Sequence, residues 1–174
     1  YQYMAPGVFE DRSLAWIQEH LRILSGFYGI LRPMDGIVPY RLEMQAKLPM
    51  GKAKDLYGFW GDSLAAALMS ETDCILNLAS KEYSRTVEKY LKPDIRYISC
   101  TFGELEGDTF REKGVYVKMA RGEMGRFMAE NDIRRPEGIK AFDRLGFAFS
   151  EQLSGENKYI FLRAGNGGME HGER

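Results

Sequence analysis

The polar residues best suited to chemistry fall into three short groups along the chain. Arg41 and Glu43 form the first group, Lys118 and Arg121 form the last, and between them come Asn77, Ser80, Glu82 and Tyr83. Carboxylates can exchange protons with a substrate, whereas arginine and lysine bind phosphates and other anions. The three groups therefore predict a cleft for an anionic or base-like ligand. The alternative is structural, with Arg41 paired to Glu43 and Lys118 paired to Glu82.

A second candidate site is the turn at residues 24–29, with the sequence Leu-Ser-Gly-Phe-Tyr-Gly. Gly26 and Gly29 allow a tight turn and can bring bare amide groups close to an anion. Arg22 and Arg32 flank the turn and can neutralise a phosphate backbone. With a helix before the turn and a short apolar segment after it, the pattern predicts a helix-hairpin-helix-like element. A plain turn between two packed helices fits the same spacing.

The charge of the whole chain does not favour nucleic acid, because the formal net charge is −1. Two regions are locally basic: residues 21–54 carry six basic and two acidic side chains, and residues 111–126 carry five and two. In the second region Arg126 falls off the apolar stripe of Met124, Phe127 and Met128, which predicts that it faces solvent or a ligand. Two basic clusters also occur on ordinary solvated surfaces, so charge alone does not decide the function.

Several other chemistries find no support in the sequence. The two histidines and two cysteines show no metal-ligand spacing, and no phosphate-binding loop or nucleophile motif occurs. We therefore expect no metal site and no cofactor. Cys74 and Cys100 lie in apolar, strand-like runs, which predicts buried, reduced thiols. No apolar run is long enough to span a bilayer, and the sequence opens without a basic-then-apolar leader, so we expect a cytoplasmic protein without a membrane partner.

The elements that must position these residues interleave helices and strands without a regular repeat. Helices are predicted from Ser13 to about residue 24, from Asp55 to about 70, from Ser80 to 91 and over 120–131. Strands are predicted over 43–48, 74–78, 95–102 and 109–118, with a hairpin formed by 147–149 and 159–162. With 44% hydrophobic residues, the pattern predicts a single α/β domain over residues 1–164, with a mixed sheet flanked by helices. Residues 165–174, which include His171, are predicted to be a flexible tail.

The chain also resembles the YaaA family of peroxide stress-response proteins. The resemblance lies in segments that come in the family's order, LRILSGFYGILRPMD, PYRLEM, DLYGFW, NLASKEY and VKMARGEMGRFM, and then in Gly146, Phe147, Phe161 and Arg163. It departs from the family at Gln45, where a glycine is common, and it lacks the further N-terminal segment of full-length members. For that reason we expect part of the family's fold and cleft to be either missing or supplied otherwise.

The resemblance implies a cytoplasmic protein of the peroxide stress response that limits free iron and oxidative DNA damage. It also implies a DNA binder that grips the duplex backbone with the turn at 24–29 and a basic cleft. We therefore favour a DNA-binding protein over an enzyme. The predicted DNA contacts are Arg22, Gly26, Gly29, Arg32, Arg41, Lys118, Arg121 and Arg126. The rival hypothesis is an enzyme that acts on a nucleotide, a damaged base or another small anion. Both hypotheses expect the three polar groups to converge in space.

Overall fold

The computed structural model describes residues 1–164, so the predicted tail and His171 lie outside the described residues. The chain divides into two compact units. We call Glu10–Ile98 the helical unit, and Tyr1–Phe9 together with the chain from Ser99 onward the sheet unit.

The helical unit contains four helices and three short strands. In chain order these are α1 (Asp11–His20), β1 (Ile23–Ser25), β2 (Gly29–Leu31), α2 (Leu56–Trp60), α3 (Ser63–Glu71), β3 (Cys74–Asn77) and α4 (Lys81–Glu88). Asp55 caps α2 as predicted, its carboxylate accepting a hydrogen bond from the amide of Gly58 at 2.8 Å. Two apolar clusters hold the unit together, one around Met44, Leu56 and Leu64 and the other around Ala65, Leu68 and Val87.

The sheet unit is built on strand β4 (Arg96–Glu106), whose first residues belong to the helical unit. After it come β5 (Thr109–Arg111), α5 (Gly114–Glu130), two short 3-10 helices (Pro136–Ala141 and Arg144–Gly146), β6 (Phe147–Phe149) and β7 (Lys158–Arg163). The strand order is β3-β4-β7-β6, with β5 paired to β4. β7 runs parallel to β4 and antiparallel to β6, so the sheet is mixed as predicted.

Phenylalanine rings form the core of the sheet unit. Phe102 on β4 stacks on Phe161 of β7 with ring centroids 5.2 Å apart, and Phe142 and Phe147 meet Phe102 edge-on at 6.0 and 5.6 Å. All four rings are fully buried. Such pairs contribute about 0.5–1.5 kcal/mol each beyond the burial of their area. The parallel register, which sets Phe102 opposite Phe161, therefore fixes the core.

Three predicted elements are wrong, each for a physical reason. The helix-hairpin-helix-like element is not confirmed, because residues 23–31 form an antiparallel β-hairpin in which β2 occupies the place of the second helix. Residues 43–48 form a turn and an extended loop, since within residues 1–164 no neighbouring strand pairs with them. Residues 114–118 begin α5 instead of ending a strand, because Val117, Ala120 and Met124 bury one helical face and this overrides the β-propensity of Val115 and Tyr116.

Two smaller differences concern helix boundaries. Helix α1 begins at Asp11 and ends at His20, so Ser13 is a buried residue inside it and not its cap. The helix expected over 55–70 is interrupted at Gly61 and Asp62, which separates α2 from α3. None of the helices within the described part has both the length and the apolar character needed to cross a bilayer.

Burial determines how Cys100 should react. The thiol lies inside the sheet unit, and burial raises its pKa to about 12. Because the thiolate is the reactive species, a Cys74→Ser variant, in which Cys100 is the one cysteine, should react slowly with a thiol reagent at pH 8 and quickly in urea. Rapid labelling of the folded variant would contradict the buried position and favour a peroxide-sensing thiol.

Candidate functional site

The two glycines of the hairpin serve close packing. The carbonyl of Gly26 accepts a hydrogen bond from Nε1 of Trp60 at 3.0 Å. Gly29 has a φ of +79°, and a Cβ atom there would lie 2.8 Å from the Trp60 ring. A Cβ on Gly26 would lie 2.9 Å from the carbonyl oxygen of Leu42. Both positions therefore require glycine because other parts of the helical unit come so close.

Two amides of this turn already have acceptors. The amides of Phe27 and Tyr28 donate to the hydroxyl oxygen of Ser25 at 3.2 and 2.9 Å. The Ser25 hydroxyl is in turn hydrogen-bonded to the hydroxyl of Tyr40. The turn is thus stabilised by its own serine, which leaves the amides of Phe27 and Tyr28 engaged and not bare.

An aromatic cluster lies at the tip of the hairpin. The rings of Phe27, Tyr28 and Tyr40 lie 4.9 to 5.5 Å from one another, centroid to centroid. The hydroxyl of Tyr28 also accepts a hydrogen bond from the amide of Val38 at 3.0 Å, which ties the following loop to the cluster. Phe27 nevertheless remains 54% exposed. The cluster therefore presents an apolar ring to solvent on a rigid support.

The arginines around the hairpin differ in how far they are neutralised. Arg22 forms an ion pair with Glu71 and also donates to the carbonyl of Glu19 at 2.9 Å. The hydrogen bond from Arg22 lowers the pKa of Glu71. Arg32 lies 3.8 Å from the same carboxylate and is half-exposed. Arg41 follows Tyr40 in the chain, with its side chain 94% exposed and only a 4.0 Å approach to Glu43. Arg41 is therefore the arginine of this group that is most available to a ligand.

Four of the predicted polar residues lie close together inside the helical unit: Arg41, Glu43, Glu82 and Tyr83. The carboxylate of Glu82 accepts a hydrogen bond from the amide of Gln45 at 3.3 Å, which brings α4 to the segment that carries Arg41 and Glu43. Burial is the main cause that raises the pKa of Tyr83. The negative charge of Glu82 is the second largest cause, and Glu43 adds a smaller effect in the same direction. Glu82 also anchors α2, since its carbonyl accepts from the hydroxyl of Tyr57 at 2.8 Å.

Asn77 and Ser80 serve the backbone between β3 and α4. The side-chain oxygen of Asn77 accepts a hydrogen bond from the amide of Ala79 at 2.9 Å. Ser80 occupies the N-cap position of α4, and its carbonyl accepts from the amides of Tyr83 and Ser84. Both residues therefore shape the turn that leads to Glu82 and Tyr83.

The remaining predicted basic residues lie on α5 in the sheet unit. Lys118 is exposed, whereas Arg126 donates to Glu130 at 2.7 Å. Burial lowers the pKa of Arg121, and its Nε is enclosed without a hydrogen-bond partner in residues 1–164. The convergence of Lys118 and Arg121 with the polar residues of the helical unit stays a prediction.

Comparison with known proteins identifies the family. A family model described as "Peroxide stress protein YaaA" matches residues 1–153. This chain belongs to the YaaA family of peroxide stress proteins. The sequence resemblance is thereby confirmed. The matched residues include the hairpin, the aromatic cluster and the whole of α5.

Individual relatives support the same assignment. The chain is similar to a UPF0246 protein from Agathobacter rectalis, at 57% identity over 94% of this chain and 66% of the relative. A second UPF0246 protein, from Desulfitobacterium hafniense, is 59% identical over 94% of this chain and 65% of the relative. A third UPF0246 protein, from Pediococcus pentosaceus, is 48% identical over 94% of this chain and 65% of the relative. The chain thus spans about 65% of the length of the curated relatives it matches.

Some residues of this YaaA-family site were missed at the level of sequence. Phe27, Tyr28 and Tyr40 were not singled out, although two adjacent aromatic residues within a three-residue turn are a detectable signal. Aromatic side chains in a tight turn cannot all be buried, because a loop runs over the surface. Once residues 23–31 are recognised as a hairpin, this rule predicts that at least one aromatic ring of the turn is exposed.

The packing of Gly29 can be tested by adding one methyl group. Gly29→Ala should lower the free energy of unfolding by about 1–3 kcal/mol, because the positive φ and the contact with Trp60 both oppose a Cβ atom. Gly36→Ala is the matched control, since nothing lies within 4 Å of the added atom. Urea denaturation of both variants measures the difference. Equal stability would show that Gly29 is not required for packing.

Proposed function

We propose that this chain serves the peroxide stress response by binding the phosphate backbone of duplex DNA. The observation that carries the proposal is the exposed Phe27 ring on its aromatic support, next to the exposed Arg41. Nucleic-acid-binding proteins use this combination, in which a cation neutralises phosphates and an apolar ring contacts or wedges between bases. The β-hairpin takes the place of the helix-hairpin-helix in this proposal.

Charge and shape should dominate the interaction. Arg32 and Arg41 offer phosphate contacts in the helical unit, while Arg22 is neutralised by Glu71. Lys118 and Arg121 stay predicted contacts of the sheet unit, and Arg126 is bound to Glu130. Since none of these residues belongs to a helix rich in base-reading side chains, we propose binding with little sequence preference.

The proposal includes the limitation of free iron and of oxidative DNA damage. Within residues 1–164 no group of three or more His, Cys, Asp or Glu side chains is arranged to hold a metal ion. We propose that the chain, in the cytoplasm, limits oxidative DNA damage by occupying the duplex and limits free iron by a route other than a metal site in residues 1–164.

The salt dependence of binding tests the role of Arg41. Two contacts in the helical unit, or four with Lys118 and Arg121, predict a slope of about −1.8 to −3.6 for log K against log salt, because each contact releases condensed counterions. Arg41→Ala should make the slope less steep by about 0.9 on unrelated duplexes, and Arg41→Lys should preserve it. Lys92→Ala, which removes an exposed lysine elsewhere in the helical unit, is the control. If the unsubstituted chain binds no duplex DNA at low salt, the proposal is wrong.

The role of Phe27 is separable because it carries no charge. A base–aromatic contact contributes about 1–3 kcal/mol, so Phe27→Ala should weaken binding by about 5- to 150-fold without changing the salt slope. Leu48→Ala removes another exposed apolar side chain of the same unit and should leave affinity unchanged. Fluorescence anisotropy with a labelled duplex measures both quantities. Equal losses in the two variants would indicate a general effect of apolar surface.

A further inference from the structure

A basic groove lies within the helical unit, apart from the hairpin. It has a volume of about 680 Å³, which falls within the range of about 300–1,000 Å³ that small-molecule sites occupy. One wall is the segment from Lys52 to Gly58, and the other is the end of α4 and the residues after it, from Arg85 to Tyr90. Phe27 and Arg41 do not line this groove, so it is distinct from the proposed DNA contact.

Four cations line the groove against two carboxylates: Lys52, Lys54, Arg85 and Lys89 against Asp55 and Glu88. Both carboxylates are engaged in other bonds. Asp55 caps α2, and Glu88 accepts a hydrogen bond from the hydroxyl of Tyr97 at 3.0 Å. None of the four cations forms an ion pair with a carboxylate of the described chain.

Aromatic rings hold two of these cations. The guanidinium of Arg85 lies over the ring of Tyr57, 4.9 Å from its centroid, and the ammonium of Lys89 lies over the ring of Tyr90 at 5.3 Å. Tyr57 is itself held by its hydrogen bond to the carbonyl of Glu82. A ring orients a cation without neutralising it as a carboxylate would. The groove therefore keeps Arg85 and Lys89 charged and oriented.

Two of these cations repel each other. Arg85 and Lys89 are four residues apart, at the end of α4 and its C-cap, and like charges at this spacing repel each other. Lys52 and Lys54 add further positive charge from the facing wall. An anion with several charges on neighbouring groups would relieve the repulsion between all four side chains.

We propose that this groove binds the condensed phosphate group of a small molecule, of which a nucleoside triphosphate is the model ligand. A single phosphate would satisfy only part of the cation set, whereas a di- or triphosphate extends along it. A DNA duplex is too thick to enter a hollow of this volume, which favours a small ligand over the nucleic acid backbone. The ligand chemistry is therefore a run of phosphates, carried by a nucleotide or present as inorganic polyphosphate.

Calorimetry of the whole chain with ATP, inorganic tripolyphosphate and adenosine, without divalent cations, tests the groove. ATP and tripolyphosphate should bind and adenosine should not, because the recognised group is the phosphate chain. Tripolyphosphate binding as tightly as ATP would identify inorganic polyphosphate as the source, and clearly tighter binding of ATP would identify a nucleotide. Adenosine binding as well as ATP would overturn the proposal.

Variants decide whether the binding occurs in this groove. Arg85→Gln with Lys89→Gln should weaken ATP at least tenfold, Arg85→Lys should retain part of the affinity, and Lys92→Gln, outside the groove, should retain all of it. Circular dichroism of each variant verifies the fold. Unchanged ATP affinity in the double variant would overturn the proposal. The proposal is also wrong if the double variant loses duplex binding but keeps ATP binding. The Arg41 and Phe27 variants should bind ATP normally, so failure of the DNA proposal and failure of this one are distinguishable.

Discussion

The packing of Trp60 against the β1–β2 hairpin is the interaction on which the candidate site depends. The indole donates to the carbonyl of Gly26 and its ring lies against Gly29, where any side chain would collide with it. Trp60 also packs on the apolar cluster of Met44, Leu56 and Leu64. The hairpin is thereby joined to a hydrophobic core, and Phe27 is left as the apolar residue of the turn that faces solvent. A flexible loop could not hold an exposed aromatic ring in a defined position at low entropic cost.

The distribution of ion pairs, and not the number of basic residues, distinguishes the parts of the surface that can bind anions. Arg22 and Arg126 lie in the two basic regions of the sequence, yet each is bound by a carboxylate, Glu71 or Glu130. The exposed Arg41 and the cations of the groove lack such strong partners. An anion gains little from an arginine that is already neutralised, because it must first displace the existing pair. The basic character relevant to function is therefore local.

The sheet unit shows how a family signature residue can be structural. Arg163 at the end of β7 approaches the buried carboxylate of Glu104 at 3.5 Å, and Lys113 contacts the same carboxylate at 2.7 Å. The guanidinium of Arg163 also lies 3.7 Å from the centroid of the Tyr116 ring. A buried carboxylate is tolerated only when it is paired, so loss of both cations would leave a costly unpaired charge inside the unit. The parallel register that sets Glu104 opposite Arg163 makes this arrangement possible.

The sequence by itself determined the family, the mixed α/β class and most of the elements, because helical and strand periodicities are local properties of the chain. It also indicated that Glu43, Glu82 and Tyr83 belong to one region, and the hydrogen bond from Gln45 to Glu82 agrees with this. Only the tertiary structure decided that the glycine turn is a β-hairpin, since residues 29–31 are too short and apolar for periodicity to distinguish strand from helix. It also decided which arginines are neutralised, because folding brings Arg22 to Glu71, which lies 49 positions further along the chain. The groove likewise joins Lys52 and Lys54 to Arg85 and Lys89 across more than thirty positions, and such contacts arise from packing between elements, which no local pattern encodes.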